Sequence, residues 1–206
     1  MTDTNRIAIC GGTFDPFHRG HHEPVASVRQ QFEWTRVFFV PAFIQPFKAD
    51  LVTASPFHRF AMCALATIDD AWAEVAPWEL ERGSVSYTID TVEALSAQLP
   101  DATLDLIIGD DNLPTLEAWR NLDRIFELAN FVVLTRGNAA LPPALAGRVR
   151  PAGAPRSRSG AIVFAENTTV PVSSTEIRRR VREHQPLESL VDPRVAQYIQ
   201  RNRLYQ

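Results

Sequence analysis

The sequence predicts an α/β fold: a doubly wound parallel sheet with helices on both faces and a small helical portion over residues 172–206. Three observations point there. Short apolar runs rich in β-branched and aromatic residues alternate with helical patterns. The unusual polar stretches follow directly on those runs, where ligand-binding turns sit in open parallel sheets. A chain of 206 residues with 45% hydrophobic and 22% charged residues suits one domain, 1–206, with a sizeable core.

Taken in order, the runs at 6–10, 36–40, 73–80, 103–108, 130–135 and 161–165 read as strands. Helical patterns lie between them at 18–32, 55–68, 88–99 and 113–128, the second opening with Ser55 as cap and Pro56 at the first helical position. Residues 137–160 carry four prolines and four arginines and read as a surface excursion holding at most one short helix, near 144–148. A basic helix from about Ser174 and a final helix from Pro193 complete the chain.

Composition narrows the function classes. A net charge of −3 argues against attraction to bulk nucleic acid, so any bound anion must be met locally. Twenty of the 21 basic residues are arginine, which draws notice to the single lysine, Lys48. Cys10 and Cys63 lie far apart without metal-type spacing, and neither a signal peptide nor an apolar run of membrane-spanning length is present. The expectation is a reduced, soluble, cytoplasmic protein, with no nucleic acid or membrane as partner.

Four polar stretches follow expected strands: Gly11-Gly12-Thr13, the segment 41–48, Gly109-Asp110-Asp111 and Arg136-Gly137. In an open parallel sheet the carboxyl ends of strands share one edge, so these stretches are expected to converge. The first opens GGTFDPFHRGHHEP, residues 11–24. Two glycines let the backbone turn sharply and bring its N–H groups to a ligand, and Asp15-Pro16 fixes a turn before the helix. His18 and His21 then share a face at the helix start, where free N–H groups and two imidazoles can donate to a phosphate chain. Gly20 permits close approach. A metal reading of His18, His21 and His22 is weaker, because no fourth ligand is apparent.

The string GGTFDPFHRGH resembles the GGTFDPxHxGH signature of the nucleotidyltransferases that carry an HxGH motif and join a nucleoside triphosphate to a phosphate-bearing acceptor. The resemblance implies a Rossmann-like sheet, with ATP at Gly11, Gly12, Thr13 and Phe14 and the triphosphate on His18 and His21. A second stretch, VPVSSTEIRRR, forms an S-x-x-E capping box at Ser173 and Glu176 and starts a helix whose first-turn N–H groups can receive phosphate. It resembles the family's ISSTxxR element, with Val172 in place of Ile, and the resemblance places Ser173, Thr175 and Arg178 on phosphate. Arg179, Arg180 and Arg182 are expected to be solvated.

The acceptor is indicated by two further segments. ERGSVSYTIDT, residues 81–91, resembles the R-x-G-x-S-Y-T-x-x-T segment of bacterial nicotinate-nucleotide adenylyltransferases, and GDDNLPTLEAW resembles that family's G-x-D followed by Trp. Ser86, Tyr87 and Thr88 open a helix that can take a carboxylate on its N–H groups and hydroxyls, while Trp119 can stack on a pyridine ring. The alternative for Tyr87 and Trp119 is a place in the core. Gly109 and Asp111 match the G-x-D element. PAFIQPFK resembles the family's P-x-x-x-P-P-H-K loop, with Lys48 at its lysine but Gln45 and Phe47 departing from it. Arg136-Gly137 resembles its Arg-Pro-Gly without the proline, on the adenosine side, and LVDPRVAQYIQRNRLY resembles its final helix, read as packing.

The activity so implied is attack by the 5'-phosphate of nicotinate mononucleotide on the α-phosphorus of ATP, giving nicotinate adenine dinucleotide and pyrophosphate in NAD biosynthesis, with Mg2+ bridging the triphosphate. His18, His21 and Arg178 are the expected catalytic groups. No protein ligand for a metal is assigned. The alternatives are a nicotinamide-nucleotide enzyme, a pantetheine-phosphate or cytidylyl transferase, a non-catalytic nucleotide-binding regulator, and an RNA-binding module using Arg148, Arg150, Arg156 and Arg158.

Overall fold

The computed structural model describes residues 5–46, 54–137, 140–152 and 158–206. Six strands, β1 (Arg6–Gly12), β2 (Arg36–Pro41), β3 (Ala73–Val75), β4 (Thr103–Gly109), β5 (Ala129–Leu134) and β6 (Ile162–Ala165), form one open sheet in the order β3-β2-β1-β4-β5-β6. The order reverses between β1 and β4, as in Rossmann-like folds. β1 pairs parallel with β4, β4 with β5 and β5 with β6. The helices are α1 (Arg19–Val28), α2 (Pro56–Thr67), α3 (Trp78–Arg82), α4 (Thr88–Gln98), α5 (Leu122–Leu128), α6 (Ser174–Arg182) and α7 (Pro193–Arg201).

Strands buried on both faces read as continuous apolar runs, and β4 and β5 do so. Asp105 and Asn130 interrupt them, the first as a buried carboxylate in mid-strand. Asp105 accepts from Arg6 Nε at 2.7 Å, Trp34 Nε1 at 2.8 Å and Asn130 Nδ2 at 3.1 Å. Asn130 stands directly opposite it on β5, so slipping the register would strand a buried charge.

The helix starts follow the capping signals. Ser55 Oγ accepts from His58 N, and Asp192 accepts from Arg194 N ahead of Pro193. Three expectations are corrected. The strand expected over 73–80 stops at Val75, because Pro77 cannot donate to a ladder; the WELER segment becomes α3, ended by Gly83 at φ +61°. The helix expected over 113–128 is a 3-10 stretch, Asp110–Ala118, followed by α5, with Pro114 inside the first part and Asn121 at φ +53° before the second. The first helix ends at Val28 rather than 32, and Glu33 at φ +53° closes the turn that follows. The short helix expected near 144–148 is a 3-10 turn, Pro143–Arg148.

The chain divides into two compact units interleaved along the sequence: Met1–Gly11, Ser27–Phe38 and Tyr87–Asn167 form one, and Gly12–Ala26, Phe39–Ser86 and Thr168–Gln206 the other. The second holds α6 and α7, the helical portion expected over 172–206. Among the described residues no helix is long and apolar enough to cross a membrane.

Candidate active site

In the second unit, Gly12 opens the histidine loop in a tightly packed turn. A Cβ on Gly12 would lie 2.6 Å from the Phe14 ring, so a glycine is required there. Phe14 itself takes φ +53° and is buried, its ring edge-on to Phe17 at 5.2 Å and to His21 at 5.0 Å. Its side chain therefore braces His21, which leaves only its backbone for the ATP contact that the sequence implies. Thr13 Oγ1 is hydrogen-bonded to Gln45 Oε1, so a residue that departs from the family pattern closes on the loop.

His18 is buried at the start of α1, and its ring stacks on that of His21 with centroids 3.6 Å apart. The His18 backbone N–H donates to His21 Nδ1 at 3.3 Å. An accepting Nδ1 puts the proton of a neutral His21 on Nε2, which makes that nitrogen a donor.

The late motif belongs to the same unit. Ser173 caps α6, its Oγ accepting from Glu176 N at 3.2 Å, as expected. The reciprocal half of the capping box is corrected: the Glu176 carboxylate accepts instead from Arg179 and Arg180, at 2.8–2.9 Å. Neither arginine is simply solvated, because the acid one turn earlier competes for them. These bonds, the Arg179 one first, hold the Glu176 carboxyl down to about 2. Ser173 and Thr175 are exposed, whereas Arg178 is half-buried and donates at 2.6 Å to the backbone carbonyl of Asp15 and at 3.3 Å to Thr175 Oγ1. Ser174 Oγ donates to Pro16 O at 3.1 Å. A Cβ on Gly20 would lie 2.9 Å from Val172, so the histidine helix and the start of α6 are in close contact. The two motifs read from opposite ends of the sequence are thus one constellation.

Three residues that sequence reasoning missed hold it together. Arg59 on α2 is buried and donates to three carbonyls: Thr13 at 2.6 Å, Phe43 at 3.1 Å and Ala54 at 3.3 Å. Its burial lowers its pKa, and the Asp15 charge opposes that shift. A lone arginine inside the apolar pattern PFHRFAMCALAT was the available signal. Asp15, read only as a turn residue, is buried and accepts from Ala54 N at 3.1 Å and from Tyr205 Oη at 2.8 Å. Tyr205 was read as packing. Ser86 Oγ accepts from Phe43 N at 3.0 Å, which ties it to the loop after β2 and leaves its own proton to donate. Lys48 lies outside the described residues.

In the first unit, Tyr87 stands at the N-cap of α4 with no side-chain capping bond, and Thr88 is the first helical residue. The first-turn N–H groups are thus not consumed by a side-chain cap. The Arg120 guanidinium lies 4.7 Å from the centre of the Tyr87 ring. Trp119 is half-exposed, with an edge contact to Phe131 at 6.2 Å, and Tyr87 is half-buried; neither belongs to the buried core. A Cβ on Gly109 would press on the Asp111 carboxylate, so the close approach of that exposed side chain depends on the glycine. Asp111 is exposed, while its neighbour Asp110 is buried and accepts from the backbone N–H of Arg136 and of Gly137, both at 2.9 Å. The pair GDD did not reveal which acid shapes the Arg136 loop. Asn167 adds to it, accepting from Thr135 N and donating to Thr135 O.

Burial pushes the Cys10 thiol up to about 12, against the opposing charge of Arg136, so it stays protonated at neutral pH and supplies no nucleophile. The described arginines of the 137–160 excursion are engaged with the protein: Arg148 over the Phe126 ring, Arg150 on Gly147 and Val149 carbonyls, Arg158 on Pro100 O. Arg156 lies outside the described residues.

Residues 9–180 match the cytidylyltransferase-like family. A Saccharopolyspora erythraea protein named "Probable nicotinate-nucleotide adenylyltransferase" is 35% identical over 206 residues, covering 100% of this chain and 92% of the relative. A Corynebacterium glutamicum protein of the same name is 36% identical over 201 residues, covering 97% and 88%. Plasmodium falciparum nicotinic acid mononucleotide adenylyltransferase, solved in complex with NaAD, superposes with a TM-score of 0.75 at 17% identity over 98% of this chain and 97% of that one, a likeness of fold. The chain belongs to the cytidylyltransferase-like family and, within it, to the nicotinate-nucleotide adenylyltransferases.

Proposed function

We propose that the protein transfers the adenylyl group of ATP to the 5'-phosphate of nicotinate mononucleotide, releasing pyrophosphate and forming nicotinate adenine dinucleotide, a step of NAD biosynthesis in the cytoplasm. The whole chain acts as one nucleotidyltransferase domain. The observation that carries this reading is the histidine loop joined to the start of α6 through Arg178 and Asp15, in a chain whose full-length relatives bear that name.

The chemistry asks little of covalent catalysis. A phosphate monoester has a second pKa of roughly 6, so the nucleophile is already largely a dianion at neutral pH and needs no strong base. What remains is to align two polyanions in line and to stabilise charge on the departing pyrophosphate. His21 Nε2 and His18 donate to the triphosphate, joined by the hydroxyls of Ser173 and Thr175, the first-turn N–H groups of α6 and Arg178. Gly11 and Gly12 bring backbone N–H groups to the same nucleotide, and Arg136 serves the adenosine side.

The acceptor is read by the opening of α4. Its N–H groups, with the hydroxyls of Ser86 and Thr88, meet the nicotinate carboxylate, whereas the NH2 of an amide would face donors and leave one unpaired. Trp119 stacks on the pyridine ring, Tyr87 and the Gly109-Asp111 turn flank the mononucleotide, and Lys48 is assigned to mononucleotide binding by the resemblance of its loop alone. A Mg2+ ion accompanying ATP would neutralise triphosphate charge and would draw its ligands mainly from substrate phosphates and water. Among the described residues no group of three or more His, Cys, Asp or Glu is placed to hold a metal.

Pyrophosphate release from ATP and magnesium, with nicotinate or nicotinamide mononucleotide as acceptor, tests the assignment. Faster turnover with nicotinate is expected. Faster turnover with the amide reverses the reading of the α4 opening, and no release with either acceptor refutes the activity.

A further inference from the structure

Beyond α7 the chain reverses direction. Arg203 takes φ +51° and closes α7 in a Schellman turn, with Leu204 N donating to Ile199 O at 3.0 Å and Arg203 N to Gln200 O at 3.2 Å. That reversal sends the chain back, and Tyr205, itself at φ +67°, delivers its hydroxyl to Asp15 Oδ1 at 2.8 Å. A bulky residue in the left-handed region is held there only where its surroundings over-determine it. A charge-assisted bond to a buried carboxylate is such a determinant.

The two oxygens of Asp15 have different tasks. Oδ1 takes the Tyr205 hydroxyl and the Ala54 N–H, while Oδ2 faces Arg178 Nη1 at 3.7 Å, beyond hydrogen-bond distance. The same Nη1 donates instead to the Asp15 backbone carbonyl. An unengaged Asp15 carboxylate would draw the guanidinium into a two-pronged pair, the strongest arrangement open to those groups. Occupying Oδ1 prevents that and leaves part of the guanidinium fork for substrate oxygens. Asp15 also lies three positions before His18, so whatever fixes it fixes where the histidine helix begins. Burial and the Asp15 charge both raise the Tyr205 phenol, so it remains a donor throughout the working pH range.

We propose that Tyr205 is a positioning residue for adenylyl transfer, holding Asp15 so that Arg178 and the loop bearing His18 and His21 keep the geometry in which they meet the triphosphate. This rests on the activity proposed above.

The experiment compares wild type, Tyr205→Phe and the packing control Leu204→Ala. Wild-type pyrophosphate release establishes the activity, and hydrogen exchange over residues 13–21 of the unliganded proteins reads the loop without it. Tyr205→Phe is expected to lower kcat about tenfold with both KM values within about twofold, and to speed exchange in the loop. Leu204→Ala, which keeps the hydroxyl, is expected to lower thermal stability while holding kcat. A Tyr205→Phe kcat within twofold of wild type overturns the proposal, as does an equal fall in Leu204→Ala. If wild type releases no pyrophosphate, the activity fails separately, and unchanged exchange in Tyr205→Phe then overturns the clamp.

Discussion

Arg178 on α6 donates at 2.6 Å to the backbone carbonyl of Asp15, 163 positions earlier, and so couples the start of α6 to the loop that carries His18 and His21. The bond uses one arm of a planar fork, and Nη2 of the same guanidinium is held by Thr175 Oγ1. Arg178→Lys keeps the charge but loses the fork. It is expected to lower kcat about a hundredfold, measured by pyrophosphate release at saturating substrates. A fall below threefold would remove Arg178 from the charge-stabilising group.

His18→Ala separates turnover from binding. A donor that works mainly as charge develops on the leaving pyrophosphate is worth about 100- to 1000-fold in kcat. The ATP dissociation constant, measured by calorimetry, is expected to change far less. Equal losses in both quantities would assign His18 to ground-state binding alone.

Gly20→Ala tests the packing of the two motifs. The new Cβ would sit 2.9 Å from Val172 Cγ1 and 3.2 Å from the His18 ring, and neither neighbour is the end of a long flexible chain. We expect loss of turnover, with partial recovery in the double variant Gly20→Ala, Val172→Ala. Recovery confined to the double variant would locate the damage at this contact.

Trp119→Ala is expected to raise KM for the mononucleotide about tenfold with little change in KM for ATP, as loss of a half-exposed stacking face predicts. Unchanged acceptor kinetics accompanied by a lower thermal midpoint would make Trp119 a partner of Phe131 only.

Glu176 gives a pH prediction with a definite sign. Its folded value, about 2, lies below its ordinary 4.5, so its stabilising contribution is present above pH 4.5 and is lost as pH falls toward about 2. Replacement by Gln should flatten the fall in urea midpoint across that window while leaving the slope above it unchanged. An identical acid limb in both proteins would show that Arg179 and Arg180 do not hold the carboxylate in solution.

Local regularities carried most of the fold. Strand and helix order followed from apolar period and from capping residues such as Ser55 and Ser173, because those signals act over a few neighbouring positions. The misread elements also have local causes: at 73–80 an apolar run concealed a proline, and at 113–128 a helical period concealed Pro114 and the left-handed Asn121. In the candidate site, the pair His18 and His21 and the trio Ser173, Thr175 and Arg178 were visible in the sequence because each group is compressed into about one turn at its own helix start, α1 and α6. Arg59, Asp110 and Tyr205 were not, since each acts on backbone or carboxylate groups distant in sequence, and residue type alone does not say which acceptor a buried donor will meet.

The sequence by itself determined the family, the alternation of strands and helices, and the two helix-start strings that carry the resemblance, because these reside in short stretches of neighbouring residues. Only the tertiary structure decided that Asp15 is shared between Arg178 and Tyr205, that Arg59 donates to the carbonyls of Thr13, Phe43 and Ala54, and that Glu176 serves two arginines rather than its own cap. The reason is that buried polar groups take whichever partners folding brings within hydrogen-bond reach, and those partners lie up to 190 positions away.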